Sequence, residues 1–487
     1  MLLIRKLMFA IIILMSGLMS AGELRASDTL ENIQKKTVEY LKRAGARSAD
    51  WGIQVFDPED NRVLIEVNPD KAFLPASVMK LVTTAAALEK LGPDFRFNTG
   101  VYTNGTTLDE KGVLDGDIIL VGRGDPNLVD SYGDLGQPPA LPGLAEKIKD
   151  MGIREITGDI FGDDSYFVYS SNGKNDKGTL YGAPVTALSI NNNVVKVTAR
   201  APKSGKAVTV ELEPRSGFRV RNQAAIGASD AKQTLSIRLL SASNTIVVSG
   251  VLPASKSVAQ SIVLNTPAET TAAVFKEELE RQGIKIKGAV RAIHYGDILS
   301  DVKNAWIILA EHKSLPLVRG LEIINKRSQN LHAEMLLRTL GAELRGLGSN
   351  EAGLEAVKDF LVKTGFYTEN IRLDDGCGLS RDNFLTPRFQ TSFLEYLRRQ
   401  PYFSRFFDTL AVSGTDGTLR GRLSSNSAKG SIYAKTGSLN GVATLSGYIA
   451  TQSGKYLVFS IFANRATATD AVKKTIDDIC SLFAALY

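Results

Sequence analysis

The sequence predicts an α/β protein: one α/β domain split by a large β-rich insertion. Three observations carry this. The chain has 487 residues, too many for one hydrophobic core, which stops growing near roughly 250–300 residues. Long helical patterns occur at both ends, before about Leu91 and after about Lys303. Between them, from about Phe95 to Asp301, short alternating segments separated by Gly, Asp, Asn, Pro and Ser turns dominate. The expected parts are residues 28–98 plus 303–487 for the interrupted domain and 99–302 for the insertion.

The first residues read as an address. Arg5 and Lys6 precede the apolar run Leu7–Met19, and Ser20, Ala21 and Gly22 form a small-residue cleavage site, with Ala26 as a later one. Residues 1–22 are therefore expected to be a signal peptide; the alternative is an uncleaved anchor, for which the run is short of the roughly 20 residues a span needs. No later segment is apolar enough to span a bilayer, so the mature chain is expected to have no transmembrane segment.

Thr29–Ala44 is helical in pattern, followed by strands at Trp51–Asp57 and Arg62–Val67 around the turn Pro58–Asn61. Pro75-Ala76-Ser77 leads into Val78–Leu91, rich in Ala, Leu and Val and stopped by Gly92-Pro93, the pattern of a buried helix. The insertion shows strands at Ile118–Val121, Val208–Leu212, Thr234–Leu240 and Thr245–Val251. It also has one well-marked helix, with Thr266 as cap, Pro267 first, Glu269 completing a capping box and Gly283 ending it. Helical patterns return at Leu315–Lys326, Ser328–Arg345, Glu351–Lys363 and Arg388–Arg398. Strands Gly441–Ala450 and Tyr456–Ala463 and a final helix, Thr469–Leu486, close the chain; Val472, Ile476, Ile479 and Phe483 mark its buried face.

Composition narrows the function. With 44% hydrophobic and 23% charged residues the chain is globular. Its charges, 58 Lys+Arg against 52 Asp+Glu, are interspersed, which argues against nucleic acid as a partner. Cys377 and Cys480 are the only cysteines, too few and too far apart in sequence for a metal site; whether they form a bridge is not legible. No G-x-S-x-G elbow, H-E-x-x-H pair or P-loop occurs. Of the three histidines, His294, His312 and His332, the last reads as a packed surface residue rather than a base.

A Ser/Lys arrangement remains. S-x-x-K occurs at Ser77, Ser171, Ser229 and Ser300, but only Ser77-Val78-Met79-Lys80 opens an apolar helix. There the two side chains share a face, and a lysine held between apolar turns loses its proton more readily and can serve as base to the hydroxyl. The structural reading, a capping serine and a lysine reaching for solvent, competes with it. K-T-G occurs at Lys363, where it ends a helix, and at Lys435-Thr436-Gly437, on an edge-strand pattern suited to an extended peptide with a terminal carboxylate. S-x-N occurs at Ser170, Ser189, Ser328, Ser424 and Ser438; only Ser328-Gln329-Asn330 opens a long helix.

Taken in order, these motifs match the set used by penicillin-recognising serine enzymes. The chain resembles the DacB-type D-alanyl-D-alanine carboxypeptidases/endopeptidases, the class C low-molecular-mass penicillin-binding proteins. Besides the motifs, the resemblance rests on the gap between the first two (328 − 77 = 251) and on five segments. These are Gly122–Leu128, Gly158–Phe167, Asp375–Asp382, Ser413–Leu419 and Ala434–Gly447, and the likeness spans nearly everything after the leader.

The resemblance implies a β-lactamase/D,D-peptidase-like sandwich around the insertion, and an exported, periplasmic enzyme that cleaves peptidoglycan stem peptides and takes β-lactam antibiotics as covalent inhibitors. No metal or organic cofactor is implied. Ser77 would be the nucleophile, Lys80 its base, and Ser328 the relay toward the leaving amine. Asn330 would position the substrate amide and Lys80, Lys435 and Thr436 would engage the terminal carboxylate, and Gly437 belongs to the same motif. The backbone N–H groups of Ser77 and Ser438 would form the oxyanion hole. Asp163, Arg381 and Asn440 match positions that contact the substrate's side chain, Asp163 by reaching over the site from the insertion. Cys377 stands where the family usually has Ser, which adds a thiol open to oxidation near the site. The rivals are a β-lactamase, against which the insertion argues, and a catalytically silent peptidoglycan-binding scaffold, against which the complete Ser/Lys set argues.

Overall fold

A computed structural model describes residues 30–129, 136, 138–168, 183–203, 207–213, 217–240, 245–298, 300–424 and 428–487. The leader expected at 1–22 and the motif at Ser171 lie outside these residues. Among the described residues no helix is long and apolar enough to cross a membrane.

The interrupted domain is built on a six-stranded antiparallel sheet. Its spatial order is Ala411–Val412, Ile432–Leu439, Val442–Ala450, Tyr456–Asn464, Asp50–Asp57 and Arg62–Val67. Period-two alternation makes this sheet two-sided: in Tyr456–Asn464, Leu457, Phe459, Ile461 and Ala463 face one core, and Val458 and Phe462 face the other. The first core is covered by the helix at residues 30–41 and by Thr469–Leu486, where Val472, Ile476, Ile479 and Phe483 are buried as the periodicity predicts. The second is covered by Met79–Leu91, Leu317–Arg327, Asn330–Arg345, Asn350–Lys363 and Pro387–Arg398. Met79–Leu91 is buried at every position from Met79 to Leu88. Its alanines and threonines let neighbouring helices close around it, which explains why it is apolar on all sides.

The insertion leaves through the strand Asn98–Thr103 and returns through Ile307–Lys313, and these two strands pair antiparallel, Asn98 against Lys313. They continue a sheet in the order Val290–Ile293, Ile160–Asp163, Ile118–Gly122, Asn98–Thr103, Ile307–Lys313, whose first three strands are parallel. Helices Ala140–Asp150 and Pro267–Arg281 supply apolar side chains to the same core. Two three-stranded sheets and one of four short strands complete it. Helix Ala140–Asp150 is not legible in the sequence, because Pro139, Pro142 and Gly143 conceal it; Pro142 is tolerated in the first turn, where no N–H donor is needed. The expected capping box at Thr266 does not form: Pro267 does open the helix, but the Thr266 side chain makes no capping bond. Thr270 instead bonds its hydroxyl to the Thr266 carbonyl.

Candidate active site

Ser77 sits in a single 3-10 turn, Ala76–Val78, that feeds into the buried helix Met79–Leu91. Neither helical segment is capped by the Ser77 side chain. The preceding Ala76 is left-handed, φ 48°, an uncommon conformation for a residue with a Cβ. The loop across from it explains why it holds. A Cβ on Gly378 would lie 1.9 Å from the Ala76 carbonyl oxygen, so only glycine lets the two backbones meet.

Lys80 lies one turn further on and is 0% exposed. Its Nζ has three partners at the corners of the site. It donates to Ser77 Oγ at 2.9 Å, to Asn330 Oδ1 at 2.7 Å and to the Cys377 carbonyl at 2.6 Å. Burial holds its pKa below the ordinary lysine value, opposed by Cys377, Asp375 and Glu334. A lysine whose proton is held less tightly, in hydrogen-bond contact with a serine hydroxyl, has the geometry a general base needs.

Ser328 ends the helix Leu317–Arg327 in a left-handed conformation, φ 61°, and Asn330 begins the next helix, Asn330–Arg345. Ser328 thus lies in the corner between two helices rather than at the start of one, as the motif alone suggested. Its Oγ accepts from Lys435 Nζ at 2.8 Å. Lys435, also 0% exposed, donates to the Thr436 carbonyl as well, and the Thr436 hydroxyl bonds Thr418 at 2.8 Å. Burial, with Lys80 adding to it, pushes the Lys435 ammonium well below its ordinary pKa. The strand Ile432–Leu439 lies against the Ser77 turn. A Cβ on Gly437 would fall 2.1 Å from Thr444 Oγ1 and 2.8 Å from the Pro75 carbonyl oxygen, and Ser438 follows as an exposed residue. Ser77, Lys80 and Asn330 form one hydrogen-bonded group and Ser328 and Lys435 a second, close enough for Lys80 to act on the Lys435 charge.

The loop Asp375–Asp382 forms the wall behind Lys80. Asp375 accepts from the N–H groups of Gly378, Leu379 and Ser380 and from Asn383 Nδ2, which folds the loop around its carboxylate. Glu334, buried on the helix that starts at Asn330, accepts from the Gly376 N–H at 2.9 Å. Burial, with Asp375 adding to it, pushes the Glu334 carboxyl up to about 7. A carboxylate oxygen of Glu334, one of Asp375 and the Cys377 Sγ lie within 4.8 Å of one another, all buried. Cys377 corrects one expectation. Burial and the two carboxylates raise its pKa far above the usual thiol value, so little of the oxidisable thiolate forms. It and Cys480 are both free, in separate cores.

Asp163, expected to contact the substrate's side chain, is 1% exposed; its carboxylate pairs with Lys303 Nζ at 2.8 Å and accepts from the Ser165 N–H. The same pair occupies the lysine of the Ser300 motif. Arg381 does reach the K-T-G strand, bonding the Asn440 carbonyl at 2.8 Å on an exposed edge. His332 is buried rather than at the surface, with Nε2 2.7 Å from Asn192 Oδ1 of the insertion. Asp375 and Thr418 lie in the segments Asp375–Asp382 and Ser413–Leu419 that carry the resemblance, but sequence reasoning gives neither of them a role and misses Glu334. The one signal available for Glu334 is its four-residue spacing from Asn330, which puts both on one helix face.

Comparison with known proteins follows this geometry. Residues 33–486 match the model of the D-Ala-D-Ala carboxypeptidase 3 (S13) family. The D-alanyl-D-alanine carboxypeptidase of Actinomadura sp. (strain R39) is 32% identical over 465 residues, covering 92% of this chain and 83% of that protein. A crystal structure of penicillin binding protein 4 (dacB) from Haemophilus influenzae superposes with a TM-score of 0.74 at 27% identity, covering 91% of this chain and 98% of that one. A second structure of that protein, complexed with a β-lactam, superposes at 0.72 with 26% identity over 93% and 99% of the chains.

Proposed function

Since the chain belongs to the D-Ala-D-Ala carboxypeptidase 3 (S13) family, we propose that it is an exported, periplasmic serine D,D-peptidase acting on peptidoglycan stem peptides. It would remove the terminal D-Ala of a D-Ala-D-Ala end and also open D-Ala–diaminopimelate cross-links. The observation that carries this reading is the 2.9 Å contact between the fully buried Lys80 Nζ and the Oγ of the half-buried Ser77.

In this reading Lys80, whose hold on its proton is weakened by burial, takes the Ser77 proton in its amine form as Oγ attacks the carbonyl carbon of the penultimate D-Ala. The C=O bond becomes an oxyanion held by the N–H groups of Ser77 and Ser438. The C–N bond then breaks, the leaving amine receives a proton by way of Ser328, and an ester on Ser77 remains. Water hydrolyses that ester and returns the proton to Ser77. Lys435 and Thr436 hold the substrate carboxylate, and Asn330 holds the amide and Lys80 together. A β-lactam would acylate Ser77 by the same attack, its C–N bond opening while the amine stays tethered.

Labelling with a fluorescent penicillin, followed by denaturing electrophoresis, tests this directly. The wild type should carry label that persists for many minutes, and Ser77→Ala should carry none while keeping its melting temperature. Rapid release of label would make the chain a β-lactamase. Label retained by the variant would place the nucleophile elsewhere.

A further inference from the structure

Glu334 lies behind the catalytic lysine and contacts none of the groups assigned to the chemistry directly. It starts from the same helix as Asn330, one turn later, so the two side chains point the same way. Asn330 holds Lys80 by a side-chain oxygen, and Glu334 holds the loop opposite, through the Gly376 N–H at 2.9 Å. That peptide leads straight into the Cys377 carbonyl, which accepts from Lys80 Nζ at 2.6 Å. The Gly376 carbonyl is fixed from the other side by Thr83 Oγ1 at 2.8 Å, on the helix that carries Lys80. A Cβ on Gly376 would lie 3.0 Å from Leu337 Cβ, so the loop is pressed onto the helix of Glu334. Glu334 is thus one of the anchors of this loop, beside Thr83 and the Asp375 carboxylate around which it folds.

We propose that Glu334 is a positioning residue for acylation: it anchors the Gly376–Cys377 segment of the loop, whose Cys377 carbonyl aligns Lys80 with Ser77, and its charge biases the proton occupancy of Lys80. The inference rests on the proposed role of Ser77 and Lys80. The charged and titratable groups facing Glu334 are Lys80 from the Ser77 helix, Asp375 and Cys377 from the loop, and Arg338 from the next turn of its own helix. Of these, Asp375 and Cys377 sit beside Lys80 as well. An ionised Glu334 favours the ammonium form of Lys80 and so opposes its action as base. A protonated or amidated one does not.

The experiment measures the rate of penicillin acylation against pH in the wild type, Glu334→Gln and Glu334→Ala, with melting temperature alongside. Gln keeps an oxygen for the Gly376 N–H but carries no charge. Its plateau rate should stay within about threefold of wild type, while the acid limb moves to lower pH by about one unit. Ala loses the anchor, and its plateau should fall about 100-fold, the scale of a small misplacement of a catalytic group. If Ala fails to fold, the Gln profile decides alone. An acid limb unmoved in Gln, or a folded Ala variant acylating at the wild-type rate, overturns the proposal. A wild type that is never acylated would overturn the catalytic reading and, with it, this one; normal wild-type acylation with unaffected variants would overturn this one only.

Discussion

Lys435 Nζ donates to Ser328 Oγ at 2.8 Å across 107 residues of sequence, and both ends of that bond are drawn into the same site as Lys80. Burial lowers the hold of both lysines on a proton, and the nearby Lys80 lowers that of Lys435 further. A substrate carboxylate reaching Lys435 reverses this for one of them, because an opposite charge favours the ammonium.

Binding of a peptide with a free terminal carboxylate should therefore take up a proton at pH 8. The measurement is calorimetry of Ser77→Ala in buffers of different ionisation enthalpy, where turnover cannot interfere. Affinity should weaken as pH rises, because the free protein must acquire the proton that the complex holds. A methyl-ester peptide should show neither effect. Lys435→Ala should lose the uptake and about 1.5–3 kcal/mol of carboxylate affinity. Binding without proton uptake would mean that Lys435 is already charged.

Gly437→Ala places a methyl group 2.1 Å from Thr444 Oγ1 and 2.8 Å from the Pro75 carbonyl oxygen, on the backbone that carries Ser77. The strand must move away from the Ser77 turn. Acylation should fall about 100-fold, with roughly 1–3 kcal/mol of stability lost to overpacking. Thr444→Ala in the same chain removes the closer clash and should recover part of both. A single variant that acylates normally would show that strand and turn are not held in register.

Asp163→Asn should act on stability rather than on selectivity. It leaves the Lys303 ammonium without its buried carboxylate and should cost about 1–3 kcal/mol. The ratio of hydrolysis rates for peptides with free and acetylated side-chain amines should not change. A changed ratio at unchanged melting temperature would return Asp163 to the substrate.

Asp125→Asn should stabilise the protein, but only at neutral and alkaline pH. Asp125 is buried, and burial pushes its carboxyl up to about 6 against hydrogen bonds from Asn127. The folded state binds this proton more tightly than the unfolded chain does. Its contribution is therefore complete below about pH 4, lost as pH rises through about 6, and level above that. The asparagine does not titrate. Its gain over the wild type should be near zero at pH 4 and on the order of 3 kcal/mol at pH 8. Equal gains at both pH values would mean that the effect is not protonation.

The sequence by itself determined the elements and the chemistry they carry. The buried helix after Ser77 is legible because it is rich in Ala, Leu and Val and stopped by Gly92-Pro93, and the last helix because its apolar residues recur at helical spacing. Ser77, Lys80, Ser328 and Lys435 could be singled out because the roles proposed for them, nucleophile, base, relay and carboxylate holder, need specific residue types within short motifs. What only the tertiary structure decided are the partners brought in from far along the chain. The Cys377 carbonyl that orients Lys80 is a backbone atom, which no residue type announces. Asp163 looked like a ligand contact from its segment, but its fate depended on where Lys303 came to rest, 140 residues later. Glu334 looked like any glutamate on a helix, and became part of the site only because the Asp375 loop folds over that face. Local patterns encode periodicity and reactive groups. Which polar group a buried charge meets is settled by packing between distant segments, and the energy of that meeting is not written in either segment alone.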